Sequence, residues 1–164
     1  DKLNISWTSF ACCEDSTIMF AELLNDYFFE FKDHFNFVDA PVLSAKRDET
    51  APLDIAFIEG ASISPQNAQD IKKLRDRAKK VVAIGSCACT GMPSAHRNTF
   101  DSDQLKEISH ILEKFDYAEN VEPIEAIITV DAKVPGCPMD LNVFMTAVNG
   151  LLTEFGHDQI PIKP

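Results

Sequence analysis

Two short segments, Leu53–Ile58 (LDIAFI) and Val81–Ile84 (VVAI), are apolar almost without a break, and each runs on to a glycine, Gly60 and Gly85. Strands that are apolar on both faces must be covered on both faces, which is the arrangement of a parallel sheet with helices above and below it. The stretches between the runs carry helical patterns. After a β-rich run at Leu3–Thr8, Phe20, Leu23, Leu24, Tyr27, Phe28 and Phe31 recur at three- and four-residue spacing and form one apolar stripe, most simply core. Asp15 or Ser16 is placed to cap that helix. His34–Leu43 holds a second strand, at an edge where Pro41 is tolerated, and Ala45–Pro52 is a polar loop. Ser64 followed by Pro65 opens a helix with Ala68, Ile71, Leu74 and Ala78 inward. Ser102 caps another, with Leu105, Ile108, Ile111, Leu112 and Phe115 on one face. Ala126–Val130 reads as the last strand, and Pro138 opens a final helix carrying Leu141, Met145, Val148, Leu152 and Phe155, stopped by Gly156.

Strands alternating with helices in this way predict an α/β doubly wound parallel sheet. At 164 residues the chain is one domain, set at residues 1–156, with a tail at 157–164 that packs on a neighbour or frays. The net charge of −11 argues against nucleic acid or an anionic membrane surface as a partner. Its one basic cluster, Lys72, Lys73, Arg75, Arg77, Lys79 and Lys80, falls on a predicted helix and reads as a solvated outer face. No apolar run approaches the roughly 18–20 residues that span a bilayer, and no signal peptide is visible ahead of the first strand.

The five cysteines are an odd number in a chain that reads as unsecreted, which argues against a disulfide framework and for metal or redox chemistry. Each follows a predicted strand: Cys12 and Cys13 the first, Cys87 and Cys89 the VVAI strand, Cys137 the last. Ligands of open α/β sheets bind at the carboxyl ends of the strands, so the topology sets all five thiols on one rim. They lie among small residues, Gly85, Ser86, Gly91 and Gly136, where backbone N–H groups can approach inorganic sulfide. Four thiolates converging there suit an iron–sulfur cluster. Two other readings stay open: cysteines buried for structure alone, and a zinc or thiol-stabilised scaffold, although no Cys-x-x-Cys knuckle is present. A broad visible absorbance bleached by reductant separates cluster from scaffold.

The residues in these loops resemble the small subunit of [NiFe]-hydrogenases in its short, NAD(P)-linked form. The matching pieces are Ile58-Glu59-Gly60, Gly85-Ser86-Cys87-Ala88, Gly91 through Arg97-Asn98, Val130-Asp131, and Val134-Pro135-Gly136-Cys137-Pro138, within a likeness running from about Leu3 to Phe155. The resemblance implies a flavodoxin-like fold and one proximal [4Fe–4S] cluster lying beside the nickel–iron site of a large subunit. It assigns Cys87 and Cys137 as ligands and matches Cys13 to the second cysteine of a Cys-x-x-Cys loop whose first place is Phe10 here. The adjacent pair Cys12-Cys13 instead resembles the related 20-kDa cluster-bearing subunit of respiratory complex I, where both neighbours bind, so Cys12 is taken as the fourth ligand. Cys89 is the surplus thiol, packed near the cluster, with a ligand swap for Cys12 as the alternative.

The function implied is electron transfer. On that resemblance the chain would relay electrons between the large subunit and downstream iron–sulfur and flavin (diaphorase-type) subunits of a cytoplasmic hydrogenase oxidising or evolving hydrogen. The alternative is a complex I-like subunit passing electrons to quinone. No cysteine follows Cys137 and no paired Cys-x-x-Cys motif is present, so one cluster and no nickel–iron site are expected on this chain, and no direct membrane insertion. Glu59 and Glu14 are candidates for proton transfer at the large-subunit interface, Asp15 for capping, and His96 and Arg97 for placing positive charge near the cluster. His34, His110 and His157 read as surface residues. The rim around Cys13, Glu59, Arg97 and Cys137 is expected to lie in an interface above the standard ~1,600 Å², whose apolar content would help explain 12 phenylalanines.

Overall fold

Alternation within the apolar runs decides the layers. In the computed structural model, which describes residues 1–44 and 47–163, Ile55, Phe57, Val82 and Ile84 face one side of a sheet, and Ala56, Ile58, Val81 and Ala83 face the other. The strands are β1 (Leu3–Ser9), β2 (Phe35–Asp39), β3 (Leu53–Glu59), β4 (Ala78–Ile84) and β5 (Ala132–Val134). All pair in parallel, in the order β2-β1-β3-β4-β5, so the chain reverses direction across the sheet between β1 and β3. That is the flavodoxin-like doubly wound order. Helices α1 (Asp15–His34) and α5 (Leu141–Glu154) cover the first face. Helix α2 (Pro65–Arg77) and the 124–130 segment cover the second. A short α3 (Gly85–Thr90) and α4 (Ser102–Lys114) complete the helices, with 3-10 turns at Ser94–Thr99 and Ile124–Ala126.

The first core is aromatic. Trp7 stacks on Phe20 at 4.1 Å between ring centroids, and Phe144 of α5 lies 5.7–6.4 Å from Trp7, Phe20, Phe31 and Phe57. Of the phenylalanines, five are buried, four half-buried and three exposed, so their number reflects this core first. Phe144→Ala should destabilise the chain by about 3–5 kcal/mol, because the hole is ringed by rigid aromatics that cannot close over it. A urea-unfolding midpoint measures that loss.

Several elements depart from the sequence reading for identifiable reasons. Helix α1 kinks at Tyr27 (φ −119°, ψ 17°), which turns Phe28 out of the stripe to 52% exposure. Neither Asp15 nor Ser16 caps α1. Glu14 occupies the cap position in a left-handed conformation (φ 62°) and makes no side-chain cap bond. The cap of α4 is Asp101, which forms a capping box with Gln104, and the cap of α5 is Asp140, so Ser102 and Pro138 fall one and three residues off the starts assigned to them.

The apolar residues of 126–130 do not form the last strand. Ile127, Ile128 and Val130 pad the second face beside buried Ile124, and pairing to β4 begins only where the Asp131 N–H reaches the Val81 carbonyl at 2.9 Å. Residues 45 and 46 of the expected polar loop lie outside the described residues; 47–52 form turn and loop. The tail packs on its own chain. Ile160 is buried with both backbone groups bonded to the Asn149 side chain, and the Lys163 N–H donates to the Tyr27 hydroxyl.

The basic cluster is mostly paired, and Lys79 and Lys80 belong to β4. Lys73 pairs with Asp70, Arg75 with Asp131, Arg77 with Asp39, Lys79 with Asp54 and Lys80 with Glu154. Among the described residues, no helix is long and apolar enough to cross a membrane.

Candidate functional site

The loops leaving β1, β3, β4 and β5 meet at the carboxyl edge of the sheet. After β1 the chain turns against the exit of β3: Phe10 N–H donates to the Glu59 carbonyl at 2.8 Å, and Ala11 and Ala61 exchange backbone bonds at 3.1 and 3.0 Å. Gly60 (φ +88°) makes this possible, since a Cβ there would sit 2.8 Å from the Phe10 carbonyl carbon. After β5, the Gly136 carbonyl accepts from Ser86 N–H at 2.7 Å, and Met139 N–H donates to the Ser16 hydroxyl at 3.1 Å. These bonds stitch three loops into one lip.

The pocket inside the lip is lined by Cys12, Cys13, Cys87 and Cys137 together with Glu59, Ser16 and the backbone of Gly85 and Gly136. The four thiols come from three separate segments. Cys87 is not in a loop: it sits in the first turn of α3, and its sulfur lies 3.3 Å from the Ser94 hydroxyl, which in turn donates to the Ala11 carbonyl at 3.2 Å. Two residues along a helix is about 200° of rotation. Cys89 therefore points the other way, 3.5 Å from the Ala83 carbonyl and into the second core. It leaves the rim on which sequence position alone would set it.

Two carboxylates line this lip, Asp15 and Glu59, and Glu59 is the buried one, only 3% exposed. Its two oxygens accept from Ser16 N–H (3.1 Å), Thr17 N–H (3.0 Å) and the Thr17 hydroxyl (2.5 Å). These are the orphan donors at the start of α1, so Glu59 caps from across the sheet the helix that Glu14 leaves uncapped. Thr17 also accepts from the Trp7 indole at 2.8 Å, tying the cap to the aromatic core. A cap delivered from 42 residues away leaves no local sequence signal; a glutamate closing a mostly apolar strand is the one hint.

Burial, then the neighbouring Glu59 charge, pushes the Cys12 thiol up to about 12, while the Glu14 N–H pulls the other way. At Cys13 the Asp15 N–H draws the pKa down, but burial and the Asp15 carboxylate outweigh it and leave the thiol raised. The turn at 14–15 thus aims backbone N–H groups at both sulfurs. The Glu14 side chain lines a different hollow, beside Trp7 and Arg47.

Arg97 is committed elsewhere. Its guanidinium binds the carbonyls of Ala118, Glu119 (3.2 Å) and Ile63 (3.5 Å), and Asn98 exchanges two bonds with Val121. Together they clamp the 117–122 segment to the Ser94–Thr99 turn. His96 is exposed, its ring edge-on to Phe100. His34 and His157, far apart in sequence, come within 5.8 Å between ring centroids, a pairing without a sequence signal.

The donor set fits an iron–sulfur group better than a single ion. A cluster takes one thiolate per iron and needs its sulfurs spread around a mouth lined by small residues. Gly85 and Gly136 supply that lining with positive φ values of +78° and +123°. Among the described residues, no three His, Cys, Asp or Glu side chains converge on one ion-sized point.

The sequence matches the family described as NADH ubiquinone oxidoreductase, 20 Kd subunit, over residues 12–151. One subunit of the F420-non-reducing hydrogenase of Methanothermobacter thermautotrophicus is 30% identical over 168 residues, covering 93% of this chain and 54% of the relative. The delta subunit of the NAD-reducing hydrogenase HoxS of Cupriavidus necator is 25% identical over 120 residues, covering 60% of this chain and 54% of its own. The chain therefore spans about half the length of these curated relatives. Among solved structures, a chain of an NAD+-reducing [NiFe]-hydrogenase in the H2-reduced state superposes with a TM-score of 0.78 at 24% identity, covering 100% of this chain and 97% of that one. A [NiFeSe]-hydrogenase chain from Desulfomicrobium baculatum superposes at 0.59 with 16% identity, covering 99% of this chain and 68% of its own. Both likenesses are of fold.

Proposed function

The chain belongs to the family of the 20-kDa subunit of NADH ubiquinone oxidoreductase, and from that premise we propose that it is the electron-transfer small subunit of a [NiFe]-hydrogenase. The observation that carries the reading is the lip itself: four thiols from three segments around one pocket, with the fifth, Cys89, turned into the core. Cys12, Cys13, Cys87 and Cys137 would hold one [4Fe–4S] group, which supplies one-electron transfer when bound. The protein's own share is placement. Ser94 positions the Cys87 sulfur, the 14–15 turn offers N–H groups to Cys12 and Cys13, and Glu59 anchors α1 behind them. Glu59 would be the buried carboxylate for proton transfer at this lip, and three donors from the start of α1 hold its two oxygens. The partner is the hydrogenase large subunit, seated over the lip, with diaphorase-type iron–sulfur and flavin subunits beyond it. Five free cysteines suit the reducing cytoplasm.

A second reading draws support from the family match and from the Cys12-Cys13 pair: a complex I-like subunit delivering electrons to quinone. Metal analysis of the tagged chain and its co-purifying partners, prepared without oxygen, tests both. The reconstituted chain should hold about four irons and as many sulfides, and no zinc. Nickel in the co-purifying large subunit, with iron reduced under hydrogen, supports the hydrogenase. A nickel-free complex reduced by NADH and reoxidised by quinone supports the second reading, and zinc in the chain overturns both.

A further inference from the structure

Helix α4 is amphipathic, yet none of its 13 residues is buried. Leu105, Ile108 and Leu112 are half-covered, while Ile111 and Phe115 on the same face stand 41% and 52% exposed. Isolated helices of this length are marginal in water, and most draw their stability from packing an apolar face. Here the capping box at Asp101 and Gln104 and the ties at the far end hold the helix, and the face is left open.

The attachment of α4 places it beside the cysteine lip. On one side it is preceded by the Ser94–Thr99 turn, whose Ser94 contacts the Cys87 sulfur. On the other, Ala118 N–H donates to the Ile63 carbonyl just past β3, and Glu122 exchanges backbone bonds with Ser62. The helix is thus an outrigger on the same rim as the four thiols.

Charge narrows what can cover it. Between residues 101 and 122 the sequence has seven carboxylates against two cations, Lys106 and Lys114. A second copy would bring an equally acidic patch from a chain of net charge −11, and like charges across an interface oppose docking. We propose that α4 is a docking ridge for the same large subunit that covers the lip, and that this subunit receives it in an apolar groove rimmed by Lys and Arg. The inference rests on the functional reading above and extends it from the lip to a second contact that fixes the partner's orientation.

The test is the affinity of the cluster-loaded chain for the large subunit, compared with Ile111→Ser/Phe115→Ser and with a control, Phe28→Ser/Phe29→Ser, on exposed α1 positions. The α4 double variant should bind at least about tenfold more weakly, as truncating interface anchors does. Its melting temperature as a free chain should not fall, because the substituted side chains are already largely exposed. Binding of the wild-type chain should weaken with added salt. Equal affinity of wild type and α4 variant overturns the α4 proposal alone. A wild-type chain that dimerises, and is made monomeric by the α4 substitutions, overturns it in favour of a second copy. A wild-type chain that loads iron but ignores the large subunit overturns the functional reading and this inference with it.

Discussion

Cys137→Ser will strip the reconstituted chain of its iron–sulfur visible absorption, and Cys89→Ser will keep it. The two substitutions are chemically identical and differ only in place. Cys137 lies exposed on the turn between β5 and α5, at the mouth of the pocket beside Gly136, where the proposed function makes it a ligand. If it is a ligand as proposed, its loss would open one iron to solvent, since a serine hydroxyl is a poorer ligand than a thiolate for a soft centre. Cys89 sits in the second core against Ala83, so its replacement changes polarity beneath the lip without removing a donor. Iron and sulfide per chain after desalting, read beside the absorption spectrum, give the result. Equal loss in both variants would make Cys89 a ligand and displace Cys12 from the set.

Glu59 shows what sequence can and cannot say about such a site. Its strand and its nearness to the cysteines were legible, because an apolar run must end where the sheet ends. Its occupation was not. A carboxylate at the end of a buried strand looks free to carry a proton until the fold delivers the start of α1 to it, and then three donors claim both oxygens. The same limit applies to Cys87 and Cys89. Sequence placed them after β4 and therefore on the rim, but it took the residues after Gly85 for a loop. The helical turn that forms there separates two neighbouring thiols into different environments.

The misplaced last strand has a similar cause. Ala126–Val130 has the composition of a strand and β5 does not. The difference lies in hydrogen bonding: Asp131 accepts from Val81 N–H at 2.7 Å and from Arg75 at 2.6 Å, so pairing with β4 starts at Ala132, past the end of the expected strand. Burial works against the Asp131 charge, but the Val81 N–H and Arg75 hold its carboxyl below the ordinary range. Short edge pairings of this kind depend on a few polar contacts made at long range, and periodicity does not register them. Helix α4 is the reverse case. Its stripe correctly marked a helix face, but a stripe does not say that this face is buried within the same chain.

Gly136→Ala should cost the chain its cluster almost as completely as Cys137→Ser, though it removes no ligand. Gly136 holds φ +123°, a region that L side chains rarely adopt, and its carbonyl is the acceptor for Ser86 N–H that joins the β5 loop to α3. A Cβ at this position would collide with the Pro138 carbonyl oxygen and press to 3.1 Å on the Asp140 N–H, which is backbone and cannot swing aside. The turn must open, and Cys137 at its apex moves with it. A contrasting substitution isolates the cause. Gly150 lies in α5 with open space where its Cβ would be, so Gly150→Ala should raise stability by about 0.5–1 kcal/mol and leave iron binding alone. Iron content and urea midpoint measured on both variants separate a local failure of the lip from a general loss of fold. A Gly136→Ala chain that holds its iron as firmly as the wild type would show that the Cys137 turn tolerates movement and that the backbone bonds of the lip do not fix the cysteine.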